Sequence, residues 1–201
     1  SDHEWGQYVA DKGLGEKKAH QHQNDHFYDQ YRAGHLDVDA YLRFACGVLA
    51  RHPLDFLNKH LTYFVKERIK PKILPQAVEL VDQHRRKGDY VMVITSTIEF
   101  ITRPIVDLFE IETLLAPKPE FSQGRYTGLI TGVPSFGEGK VTRLLAWLEN
   151  KDYNLHGSFF YSDSQNDLPL LNHVGHPIAV DPDPVLRNTA KTNGWQIISL
   201  R

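Results

Sequence analysis

The stretch "FFYSDSQNDLPLL", residues 159–171, runs four mostly apolar residues into two aspartates four positions apart, then turns apolar again. Residues 159–162 have the length and aromatic content of a buried strand. Two carboxylates at the end of such a strand are costly unless donors or a cation meet them. In a parallel α/β sheet that end is where sites form. The chain around it has the matching rhythm. "YVMVITS" (90–96), "TLLA" (113–116), "PIAV" (177–180) and "QIIS" (196–199) read as short strands. Helical patterns at 75–87, 98–109, 138–150, from about 165, and at 184–193 separate them. Strands alternating with helices predict an α/β fold, a Rossmann-like parallel sheet covered on both faces. "SQGRYTGLITG" (122–132) predicts a β-hairpin turning at Gln123-Gly124.

The first third is different. "HEWGQYVADKG" (3–13), "EKKAHQHQNDHFYDQYRAG" (16–34), "LDVDAYLRFACGVLARH" (36–52) and "PLDFLNKHLTYFVKERI" (53–69) carry apolar residues at helical spacing. Gly34 suits a C-terminal cap and Asp37 an N-terminal one. Pro53 suits a first helical turn, with Phe56, Leu57, Leu61, Phe64 and Val65 down one face. Residues 1–72 thus predict a helical bundle inserted against an α/β core of residues 73–201.

Composition narrows the function classes. Of 201 residues, 41% are apolar and 24% charged, as in a soluble globular protein. A net charge of -2 gives no electrostatic case for nucleic acid or an anionic membrane. No apolar run approaches the ~20 residues of a membrane span. The single cysteine, Cys46, cannot form an internal disulfide, which suits a reducing cytoplasm. No pattern in the sequence sets an oligomeric state.

Each strand end offers chemistry. Thr95-Ser96-Thr97 follows "VMVI", Lys140 opens the next long helix, and Asp163, Asn166 and Asp167 follow "FFYS". Paired carboxylates suit Mg²⁺, which prefers oxygen ligands. A hydroxyl and an ammonium suit phosphate oxygens. The set points to metal-assisted phosphoryl transfer.

"VMVITST", "GEGKV" and "YSDSQNDLPLL", in this order and spacing, resemble the second, third and fourth motifs of the haloacid dehalogenase superfamily of aspartate-nucleophile phosphatases. The preceding helices resemble the cap of its phosphoserine-phosphatase-like branch. "QGRYTGLITGVPSFGEGKV" is similar to its histidinol-phosphatase-like group. The resemblance implies that Thr95 binds the transferring phosphoryl group, with Ser96 secondary. It implies that Lys140 neutralises phosphate and nucleophile and that Asp163 ligates Mg²⁺. Asp167 would hold the metal's water shell or Lys140, and Asn166 would lie near the phosphate.

One motif is missing. The family's first strand ends Asp-x-Asp-x-Thr and carries the nucleophile and the general acid/base; no such pattern stands in these 201 residues. The chain is therefore expected to be a truncated form, inactive alone, whose two inner strands lack a shared partner. "DVDAY" (Asp37, Asp39) reads instead as a helix start, and "AVDPDPVL" (Asp181, Asp183) as a strand-to-helix turn with Pro184 in the first helical turn. "PSFGEGKV" lacks the first Gly and the final Ser/Thr of a phosphate loop. His22 and His26 read as a solvated helix face and not as zinc ligands. Trp5, Tyr8, Phe27, Tyr28 and Tyr31 read as packing of the helical layer, a few of them at the substrate mouth. Phosphoserine phosphatases place an Arg on the cap for the substrate carboxylate. Here Ala45 falls at that point, with Arg43 two residues earlier, which favours a substrate such as histidinol phosphate.

Overall fold

The computed structural model describes all 201 residues. The first third forms α1 (Asp2–Asp11), α2 (Lys17–Ala33), α3 (Val38–Ala50) and α4 (Leu54–Phe64). A π turn (Val65–Ile69) and a 3-10 turn (Lys70–Lys72) extend α4. Gly34 closes α2 with φ 77°, the left-handed conformation that glycine adopts without a Cβ penalty. The Asp37 carboxylate accepts from the Ala40 N–H at 2.9 Å, so "DVDAY" is a helix start. Pro53 stands one place earlier than expected. Its ψ of 151° keeps it outside the helix, at the cap position. Leu57, Phe64 and Val65 are buried, but Phe56 is 37% exposed, stacked on His52 at 4.9 Å and tilted against His60 at 4.4 Å.

The remainder alternates as expected: α5 (Pro75–Arg86), β1 (Met92–Ile94), α6 (Glu99–Asp107), β2 (Thr113–Leu115), β3 (Lys118–Ser122), β4 (Arg125–Thr131) and α7 (Glu138–Leu148). Then come β5 (Phe159–Ser162), a 3-10 turn (Gln165–Asp167), α8 (Leu168–Leu171), β6 (His176–Val180), α9 (Pro184–Asn193) and β7 (Gln196–Ile198). β3 and β4 form the antiparallel hairpin, turning at Gln123 and Gly124 with φ of 49° and 78°. Two positive φ values in a two-residue loop match the strand twist.

The parallel strands form two pieces and not one sheet. β1 pairs with β2 alone, and β5, β6 and β7 form the other piece. β1 and β5 share no ladder, so each has a bonded neighbour on one side only, as the absence of a first-strand motif predicts. Two helical layers join the pieces. Val141 and Leu144 of α7 and Leu170 of α8 share an apolar cluster with Met92, Ile94 and Phe160. Tyr161, next along β5 and so on the opposite face, meets His84 of α5 at 2.7 Å.

The largest core does not respect the sequence boundary at residue 72. It runs from Trp5, Tyr8, Leu42, Leu49 and Phe64 to Ile98, Phe100 and Ile101 at the start of α6, with Tyr126 and Ile130 of β4 against it. No helix is long and apolar enough to cross a membrane.

Candidate active site

The ends of β1 and β5 open onto one cavity of about 1200 Å³, lined by Thr95, Ser96, Lys140, Asp163 and Asp167. Five of the six residues singled out in the sequence therefore meet at one place. Local sequence explains how each arrives there.

Thr95 extends β1, its N–H donating to the Leu115 carbonyl at 3.0 Å. Its hydroxyl oxygen accepts from the Thr97 N–H at 3.2 Å, which turns the chain toward α6. Lys140 depends on the glycines before it. Gly137, at φ 51°, starts α7. At Gly139 a Cβ would stand 2.1 Å from the Pro134 carbonyl oxygen, so only glycine fits. This packing lays Lys140 inward, 4% exposed.

Lys140 Nζ donates to Asp167 Oδ1 at 2.5 Å, and the Ser162 hydroxyl donates to Asp167 Oδ2 at 2.7 Å. Both oxygens of Asp167 are thus engaged. Of the two roles that resemblance offers this residue, the structure displays the one that holds Lys140. A buried ion pair persists when hydrogen bonds satisfy its remaining lone pairs. Ser162 supplies that bond.

Asp163 differs. Its side chain faces the cavity and meets no cation. Asp163 is exposed toward the cavity, yet the protein around it partly desolvates its carboxyl and pushes it above the usual range; the charges of Asp167 and Asp183 add to this, and Lys140 opposes it. A cation at Asp163 would relieve that unfavourable charge. No group of three or more His, Cys, Asp or Glu side chains is arranged as a metal cluster. The donor chemistry still fits Mg²⁺, which is commonly held by one or two carboxylates together with water and substrate phosphate.

Asn166 does not line the cavity. Its amide donates to the Tyr31 carbonyl at 2.9 Å and to the Ser164 hydroxyl at 3.2 Å. Beside it Gln165 donates to the Arg32 carbonyl at 2.8 Å. The acidic loop thereby caps the carbonyl end of α2, where helix carbonyls lack helical partners. Tyr28, Tyr31 and Arg32 bring α2 to the cavity, whereas Arg43 is exposed and Ala45 buried, both away from it. Burial raises the Tyr31 phenol above its usual range, and Asp167 and Asp163 add to this. Trp5, Tyr8 and Phe27 lie in the core. His22 and His26 are exposed, and His26 bonds Gln30 at 3.1 Å.

Residues 1–172 match the model of the haloacid dehalogenase-like hydrolases. The chain belongs to that family. It is 43% identical over 205 residues to a histidinol-phosphatase of Neisseria meningitidis serogroup C (strain 8013), covering 100% of this chain and 92% of that protein. Among solved structures, a protein of unknown function from Bordetella pertussis Tohama I superposes with a TM-score of 0.92 at 39% identity, over 100% of this chain and 92% of that one. The phospho-aspartyl intermediate analogue of phosphoserine phosphatase superposes at 0.71 over 98% of this chain and 86% of that one. Its identity is 17%, so it speaks for the haloacid dehalogenase fold alone.

Residues that sequence reading passed over are Ser162, Gln165 and Arg32, and Asp183 was read as part of a strand-to-helix turn alone. Ser162 carried a usable signal: a hydroxyl at the last position of a strand that leads into an acidic loop, five residues before the buried Asp167 it bonds.

Proposed function

We propose that the full-length protein is a Mg²⁺-dependent phosphomonoesterase acting on a small phosphorylated metabolite, histidinol phosphate first and phosphoserine second. The observation that carries this reading is the buried Lys140–Asp167–Ser162 network, which shares one cavity with Thr95 and Asp163. The 43% identical histidinol-phosphatase orders the candidate substrates.

In this reading Asp163 would hold Mg²⁺, which would supply positive charge against the phosphate. Asp167 keeps Lys140 extended, leaving the two other N–H bonds of the ammonium for phosphoryl oxygens. The Thr95 hydroxyl and Ser96 orient the same oxygens, and catalysis is mostly positioning and charge neutralisation. The nucleophilic aspartate stands on a strand between β1 and β5, contributed from outside these 201 residues. The phosphoryl group passes to its carboxylate as the substrate alcohol leaves, and water then releases phosphate. Residues 1–72 act as the cap over this site, with Asn166 tying the acidic loop to it. The 201 residues alone bind Mg²⁺ or phosphate without turnover, and Cys46 stays a free thiol in a reducing cytoplasm.

The test is phosphate release by the full-length protein from a panel of phosphomonoesters, with and without chelator. Mg²⁺-dependent release, fastest from histidinol phosphate, is expected. No turnover of any phosphomonoester overturns the proposal.

A further inference from the structure

The Asp181-Pro182-Asp183-Pro184 turn between β6 and α9 has a place in the site that its sequence does not announce. Asp183 caps α9, its Oδ1 accepting from the Leu186 N–H at 2.8 Å. Its other oxygen, Oδ2, turns back and accepts from the Gln165 N–H at 2.6 Å. The Asp183 N–H in turn donates to the Asp163 carbonyl at 2.9 Å. One residue thus grips the acidic loop on both sides of Ser164, at the backbone of Asp163 and at that of Gln165.

The turn itself is held firmly. Asp181 has φ 43°, a conformation that L side chains seldom adopt. Its N–H donates to the Ile198 carbonyl at 3.0 Å, and its carboxylate accepts from the Ser199 hydroxyl at 2.7 Å and the Leu200 N–H at 3.2 Å. Pro182 and Pro184 fix φ on either side of Asp183. The grip is therefore anchored to the chain at the end of β7.

We propose that Asp183 is a positioning residue for the metal-binding loop: its two carboxylate oxygens share the work, one capping α9 and the other fixing the backbone that aims Asp163 into the cavity. This rests on the reading of Asp163 as a Mg²⁺ ligand. A helix cap alone needs only one acceptor, and serine supplies one as well as aspartate does. Asp183→Ser therefore separates the roles, keeping the cap and losing the grip on Gln165.

Calorimetric titration of the full-length protein with Mg²⁺, beside thermal melts in chelator, reads both. For Asp183→Ser, Mg²⁺ affinity should fall about 10- to 100-fold, the range for groups that orient metal ligands. The chelator melt should stay within a few degrees of wild type. Should Asp183→Ser fail to fold, Asp183→Asn, also a good cap but with one oxygen, is read the same way. Unchanged Mg²⁺ affinity in a folded variant, or a loss matched by an equally large fall in the chelator melt, overturns the positioning role alone. Absence of Mg²⁺ binding by the wild type overturns the metal reading and the positioning role with it.

Discussion

Lys140 and Asp167 show how a single ionic contact sets both stability and chemistry. Removing the ammonium leaves a buried carboxylate with only the Ser162 hydroxyl. Lys140→Met is expected to destabilise the fold by about 3–5 kcal/mol in urea denaturation. The double variant Lys140→Met/Asp167→Leu should regain most of that loss, because an apolar pair removes the uncompensated charge, while phosphatase activity stays absent in both. Cys46 gives a second residue-scale expectation. Burial first, and Asp2 second, push its thiol from 9.0 up to about 12. The folded state keeps this proton after the unfolded state has lost it. Its contribution is therefore fully present below pH 9 and disappears as pH rises toward 12. The stability difference between wild type and Cys46→Ala should shift by about 2 kcal/mol against the wild type between pH 8 and 10.5. Denaturation curves at the two pH values check it.

At the scale of elements, the start of α7 is the sensitive point. A Cβ at Gly139 would collide with the Pro134 carbonyl. Gly139→Ala should cost about 1–3 kcal/mol and reduce activity by more than the stability loss explains, since Lys140 rides on the same turn. Melting and phosphate-release measurements on one preparation separate the two. Sequence alone located most of these elements, and for identifiable reasons. β1 and β5 announce themselves as short apolar runs between turn signals, and Thr95 and Asp163 are the first residues beyond their ends. Gln165 and Arg32 left no such mark, and Asp183 announced only a helix start. Gln165 reaches the backbone of Arg32 from 133 residues away, and a backbone carbonyl has no residue-type signature. Phe56 was placed on the apolar face because spacing cannot show that His52 and His60 flank it on the outer one.

For the whole molecule, the parallel strands meet in two pieces whose inner edges carry unpaired backbone groups. Such edges template association. These 201 residues should self-associate at micromolar concentration; light scattering reads the growth in size, and a monodisperse solution overturns the expectation. The shared apolar core has a consequence for cooperativity. Trp5 lies 5.2 Å from Phe64 and 6.0 Å from Phe100, ring to ring, so one indole touches both the helical layer and α6. Melting either side exposes the same ring. In a Trp147→Phe/Trp195→Phe background, Trp5 fluorescence and far-ultraviolet circular dichroism should trace a single coincident transition. A helical layer that melted ahead of the rest would split the two curves.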